Sequence, residues 1–232
     1  MAQRFTFDVG THGKTSALVY RAREPIGATL ILAHGAGAGQ SHPFMVDIAG
    51  RVAQRGIDVV TFNFLYTEQG RKMPDRNDRL EACWHAAIAS VRVRGGLPTE
   101  HLFCGGKSMG GRIISNLAAS PSGEGLGASG LVFLGYPLHP AGKPGVRRDA
   151  HLARVALPML FVQGSRDPLG DATEVRKVVR RLPHAALHVV RGGDHSLALL
   201  ARDGGAEKQE QALEGAADAI ASFVRKFGST LA

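Results

Sequence analysis

The segment Gly106-Lys107-Ser108-Met109-Gly110 fits the pattern G-x-S-x-G and directly follows the apolar run Leu102-Phe103-Cys104. Between a strand and a helix, this pattern presents a serine hydroxyl on a sharp turn. Glycines on either side remove the Cβ atoms that would clash there. The helix expected to follow brings its N-terminus, which favours developing negative charge, beside the hydroxyl. Serine is also a preferred helix N-cap, and Ser108 alone would be read that way. What sets it apart is an acid and a base at two later strand ends.

A serine attacks an acyl carbon well only with a base in hydrogen-bond reach and a group that orients the base. Phe161-Val162-Gln163-Gly164-Ser165-Arg166-Asp167-Pro168 puts Asp167 just past one apolar run. Val189-Val190-Arg191-Gly192-Gly193-Asp194-His195-Ser196 puts His195 just past the next. Asp167 has rivals in Asp171 and Asp194, and it could serve only as a turn residue before Pro168. Asp194 adjoins His195, and neighbouring side chains in an extended loop diverge. The base has weaker rivals: His188 lies inside an expected strand, and His184 follows Pro183 in a turn. His34 is expected to support the glycine loop after it, not to act as a second base.

These residues need a scaffold that brings strand ends together. Apolar runs at Ser16–Tyr20, Ala28–Ala33, Asp58–Phe64, His101–Cys104, Gly130–Leu134, Pro158–Val162 and Ala186–Val190 read as strands. Near-continuous apolar strands are expected when both faces of a parallel sheet are covered. Helical spacing of apolar residues appears over Phe44–Arg55, Asp78–Arg94, Met109–Ala119, Thr173–Leu182 and about Ala206–Phe227. Alternating strands and helices predict an α/β fold with a mostly parallel sheet of about seven to eight strands and helices on both faces. In such sheets the ligand site lies at the carboxyl edge, where Ser108, Asp167 and His195 all fall. The stretch between Leu134 and Met159 is too short for a helical cap domain, so an open site is expected. Pro121–Gly130 reads as a small-residue loop, and the 232 residues as a single domain, 1–232.

The order serine, aspartate, histidine resembles that of the α/β-hydrolase superfamily, across nearly the whole chain. His34-Gly35-Ala36-Gly37, Gly105-Gly106-Lys107-Ser108-Met109-Gly110-Gly111-Arg112, Gly164-Ser165-Arg166-Asp167 and Gly193-Asp194-His195-Ser196 are similar to motifs of its small, cap-less, dienelactone-hydrolase-like branch. True dienelactone hydrolases carry a cysteine where Ser108 stands. The resemblance implies that Ser108 attacks, His195 moves the proton and Asp167 holds the imidazole. It further implies that the backbone N–H of Met109, with that of Ala36 or Gly37, binds the oxyanion. Hydrolysis of a carboxylic ester or related acyl bond is the implied activity, with a small-molecule partner. A non-catalytic binding or scaffold role for the same fold is the alternative.

Other chemistries fit less well. Gly106-Lys107-Ser108 looks like the end of a phosphate-binding loop, but the full pattern needs glycine where His101 stands. Gly35-Ala36-Gly37-Ala38-Gly39 falls one residue short of a dinucleotide fingerprint, at Gln40. No metal or cofactor is expected. The net charge of +8 comes from scattered basic residues and points to a basic surface, not to nucleic-acid binding. No apolar run approaches the roughly 18 residues of a membrane span, and the first residues lack the apolar centre of a signal peptide. With only Cys83 and Cys104, both expected reduced, a cytoplasmic protein is expected. Lys107 could favour an anionic substrate or point to solvent. Phe44 and Tyr136, like Tyr66 and His139, could line a substrate pocket or simply pack.

Overall fold

The computed structural model describes residues 2–94, 96–121, 126–203 and 205–228. Among these residues, eight strands form one sheet: β1 (Gln3–Asp8), β2 (Lys14–Tyr20), β3 (Ala28–Ala33), β4 (Ile57–Phe62), β5 (His101–Lys107), β6 (Gly130–Leu134), β7 (Met159–Gly164) and β8 (Ala185–Val190). Their spatial order is β1-β2-β4-β3-β5-β6-β7-β8. The first two strands pair antiparallel, as do β2 and β4, and every pairing from β4 through β8 is parallel. The helices among the described residues are α1 (Pro43–Ala53), α2 (Leu65–Glu68), α3 (Asn77–Val93), α4 (Met109–Ala118), α5 (Ala172–Val179) and α6 (Gly205–Gly228).

The strand alternation splits the apolar residues between two cores. Ile31, Leu131, Phe133 and Phe161 face the side covered by α3, α4 and α5. Leu30, Leu32, Val132, Leu160 and Val162 face the side covered by α1 and α6. Trp84 of α3 is fully buried edge-on to Phe62, with ring centroids 5.0 Å apart. On the other side, Arg51 and Arg55 of α1 reach across to α6. Arg51 pairs with Glu210 at 2.7 Å and also with Glu214, and Arg55 meets Asp218 at 2.7 Å.

Strand β1 lies outside the seven apolar runs of the sequence. In it, Phe7 is buried and Phe5 half-buried, while their neighbours face solvent. So short an alternation signals an edge strand only weakly, and pairing with β2 completes it. Asn63 and Phe64, expected at the end of a strand, instead lead into the four-residue helix α2. The strand before Ser108 also runs on to Lys107, because Gly105 and Gly106 still pair with β3 and β6. Helix α5 stops at Val179 and starts with a capping box, in which Asp171 accepts from the N–H groups of Thr173 and Glu174. Asp171 is thereby a helix cap. Between β6 and β7 the chain makes only a 3-10 turn at Ala150–Arg154, and among the described residues no lid covers the carboxyl edge. Residues 122–125 of the expected small-residue loop lie outside the described residues. Among the described residues no helix is long and apolar enough to cross a membrane.

Candidate active site

The site is built where β5 ends. Ser108 sits at φ 49° and ψ −112°, a conformation that a residue with a side chain adopts only under constraint. Its N–H donates to Leu134 O and its carbonyl accepts from Arg112 N, so the neighbouring strand β6 and the helix α4 hold the turn. A Cβ on Gly106 would lie 2.5 Å from Ala33 O and 2.9 Å from Gly110 C. One on Gly110 would lie 2.5 Å from Ala33 O and 2.7 Å from His34 O. The two glycines therefore let β5 and α4 press against the end of β3, and the serine is forced outward.

The Ser108 hydroxyl lies 2.8 Å from His195 Nε2, and His195 Nδ1 lies 2.8 Å from Asp167 Oδ2. In the tautomer that suits this chain, Nδ1–H donates to the carboxylate and Nε2 accepts from the serine. The Asp167 side chain is fully buried, whereas that of His195 is about a quarter exposed. Asp167 is further fixed by Gln163 Nε2, which donates to Oδ2 at 2.7 Å, and by Leu169 N, which donates to Oδ1 at 2.8 Å. Gln163 also donates to Gly170 O and accepts from Tyr136 N, each at 2.7 Å. The loops carrying the acid and the base are joined by further bonds, among them Gly192 N to Ser165 Oγ at 2.8 Å and Arg166 N to Gly193 O at 2.9 Å. The rival acid Asp194 has its own work, accepting from Ser196 N and Ala198 N to close the turn after His195.

A cavity of about 400 Å³ opens over Ser108. Gly35, Ala36 and Gly37 form one wall, Phe44 and Met45 of α1 another, and Leu169 and His195 a third. Gly35 is packed against the elbow, since a Cβ there would lie 3.5 Å from both Lys107 O and Ser108 Cβ. Met109 is the first residue of α4, where backbone N–H groups lack helical acceptors. His34, beneath the glycine loop, is fully buried and bonded on both nitrogens, to Gly35 O at 2.8 Å and to Phe64 N at 3.1 Å. Burial holds its pKa down to about 4. It supports the loop and is spent as a base.

The three residues expected to line the cavity part company. Phe44 does line it. Tyr136 does not: its ring packs on Phe133 and Phe161 at 5.1 and 5.6 Å, and its hydroxyl meets Ser115 and Arg148 O. Gly135 at φ 65° turns the chain so that the next side chain enters the core. Tyr66 is likewise buried, stacked on Phe64 and edge-on to His34, and His139 pairs with Glu174. Lys107 borders the cavity but does not point to solvent. It is only 9% exposed, and its Nζ has no hydrogen-bond partner among the described residues. Burial pushes its pKa down to about 8, against the pull of the Asp167 and Asp194 carboxylates. Gln163 escaped the sequence reading; its one signal is a polar residue inside an otherwise apolar strand.

The sheet order agrees with what comparison with known proteins finds. Residues 27–225 match the family model described as "Alpha/beta hydrolase domain", and the chain belongs to that family. Among solved structures it is similar to XC6422 of Xanthomonas campestris, described as an a/b serine hydrolase without lid. That match has 21% identity and a TM-score of 0.72, covering 97% of this chain and 94% of the other. It is also similar to a dienelactone hydrolase of Anabaena variabilis, with 16% identity, a TM-score of 0.75 and 98% of each chain covered. Est1E of Butyrivibrio proteoclasticus, solved with ferulic acid bound, matches at 13% identity and a TM-score of 0.73, over 94% of this chain and 96% of that one.

Proposed function

We propose that this α/β hydrolase cleaves a carboxylic ester or related acyl bond through an acyl-enzyme on Ser108. The observation that carries the reading is the unbroken chain from Ser108 Oγ through His195 to Asp167, with both links at 2.8 Å, on a strained turn at the mouth of a cavity. His195 takes the serine proton as Oγ bonds to the acyl carbon, then gives it to the departing alcohol. Water, deprotonated by the same imidazole, releases the acid and restores the serine. Asp167 keeps the imidazole in the required tautomer and stabilises it when charged. The N–H groups of Met109 and of Ala36 or Gly37 hold the oxyanion, with donors of this kind worth roughly 2.7–4 kcal/mol each.

Among the described residues no lid covers the cavity, so small or accessible esters suit it, and Phe44 gives it an apolar wall. Both thiols are free and buried on separate elements, which fits a single domain working in the reducing cytoplasm. The test is intact-mass spectrometry after a fluorophosphonate probe. One adduct on the wild type, absent in Ser108→Ala and much slower in His195→Ala, is expected, together with turnover of short-chain esters. A folded wild type that takes no label would sink the reading and favour a binding role.

A further inference from the structure

Lys107 presents an unsolved electrostatic problem at the centre of the site. Its side chain leaves the end of β5 alongside Gly35 and runs toward Gly135, where a Cβ would lie 3.1 Å from Nζ and 3.4 Å from His195 Nδ1. The ammonium therefore sits beside the base, separated from it by less than those two distances together. The Phe44 ring stands 6.0 Å from Nζ, at the outer limit of a cation–π contact. The charged and titratable neighbours are His195, Asp167 and Asp194 on the loops after β7 and β8, with His42 across the cavity at the start of α1. Neither carboxylate forms an ion pair with Lys107 among the described residues. Both are engaged elsewhere, Asp167 by His195, Gln163 and Leu169 N, and Asp194 by its own turn. Burying a charge with no partner is costly, so a buried cation normally has an anion against it. Here the side chain borders the substrate cavity while its Nζ is buried behind the wall, toward Gly135.

We infer that Lys107 is the recognition residue for a substrate carboxylate, and that the preferred substrates are short esters carrying a free carboxylate close to the scissile bond. A single ammonium matches a monoanion, whereas a phosphate dianion would call for more donors than this wall offers. The lysine stem is flexible, and a swing past Phe44 lets Nζ meet the incoming anion. That contact would place the scissile carbonyl over Ser108 and exclude water from the ion pair. The inference rests on the serine-hydrolase reading, and labelling by the fluorophosphonate checks that reading separately.

The experiment compares kcat/KM for monomethyl succinate, glutarate and adipate with that for methyl butyrate, valerate and hexanoate, followed by methanol release at pH 7. Acetoxyacetate against methyl acetate tests a carboxylate on the leaving-group side. The wild type should favour the best carboxylate-bearing ester by about tenfold or more over its neutral counterpart. That ratio should fall to one or below in Lys107→Met and survive in Lys107→Arg. It should also decline in the wild type above about pH 8, as the ammonium loses its proton. A wild-type ratio of one or less on both sides overturns the inference, whether or not the variants fold. So does a Lys107→Met protein that still labels with fluorophosphonate and slows anionic and neutral esters alike, because the lysine would then serve the base and not the substrate. Absence of labelling in the wild type would instead remove the serine-hydrolase reading itself.

Discussion

At the scale of single residues, Gln163 is the least conspicuous member of the site and one of the most connected. One amide group serves Asp167, Gly170 O and Tyr136 N, all buried. Gln163→Leu is expected to destabilise the fold by about 1–3 kcal/mol, since it strands buried donors and acceptors. It should also lower kcat while leaving KM nearly unchanged, because Asp167 loses a donor that fixes it relative to His195. Steady-state kinetics beside a urea midpoint separates the two effects, and a variant with kcat intact would refute the positioning role. Ser108, Asp167 and His195 were legible in the sequence because each is a chemistry-bearing type set just past an apolar run. Gln163 was not named, and Lys107 and Tyr136 were named without a settled direction for their side chains, for a common reason. Each lies in, at or just beyond a strand end, where a one-residue change in register moves the side chain to the other face. Only the pairing of β5, β6 and β7 settles which face that is.

Among the elements, the junction of β3, β5 and α4 carries the tightest tolerance. Gly110→Ala would drive a methyl group to within 2.5 Å of Ala33 O and 2.7 Å of His34 O, both backbone atoms that cannot swing away. The expected cost is about 1–3 kcal/mol or more from overpacking, with loss of fluorophosphonate labelling as the elbow shifts. Gly50→Ala in α1 is the control: nothing lies within 4 Å of where its methyl group would stand, and helix propensity favours alanine by about 1 kcal/mol. Chemical denaturation of the two variants should move the midpoint in opposite directions; equal behaviour would disprove the packing argument. The parallel strands β3 to β8 announced themselves by continuous apolar runs, since both of their faces are covered. The edge strand β1 has one face to bury and two phenylalanines to bury there, too little periodicity to register. Helix α2 is four residues long and takes its shape from the aromatic packing around Phe64 and Tyr66, not from its own sequence.

For the molecule as a whole, the buried histidines govern its response to acid. His34 stays neutral in the folded protein down to about pH 4, whereas in the unfolded chain it takes a proton near 6.5. Between those values the unfolded state binds more protons, so stability falls as the pH drops from about 6.5 toward 4 and levels off above. The full effect of His34 is on the order of 3 kcal/mol. His151, whose pKa is lowered to about 4 by burial and by the nearby Arg154 and Arg112 cations, acts in the same direction. Thermal melts at pH 7.5 and 5 should show a clear drop in Tm for the wild type and a smaller drop for His34→Gln; identical drops would remove His34 as the cause.

The contact between α1 and α6 joins residues around position 51 to residues around position 214, and it fixes an order of events during synthesis. The face of the sheet bearing Leu30, Leu32 and Val162 is covered only in part, by α1, until Ile220 and Val224 of α6 can reach it. The turn holding His195 waits on the same helix, because Gln209 accepts from Leu199 N and donates to Leu197 O. The nascent chain thus carries its serine well before it acquires the base. Ser108 remains an ordinary alcohol while the chain grows, and the elbow becomes reactive only as the fold closes around it.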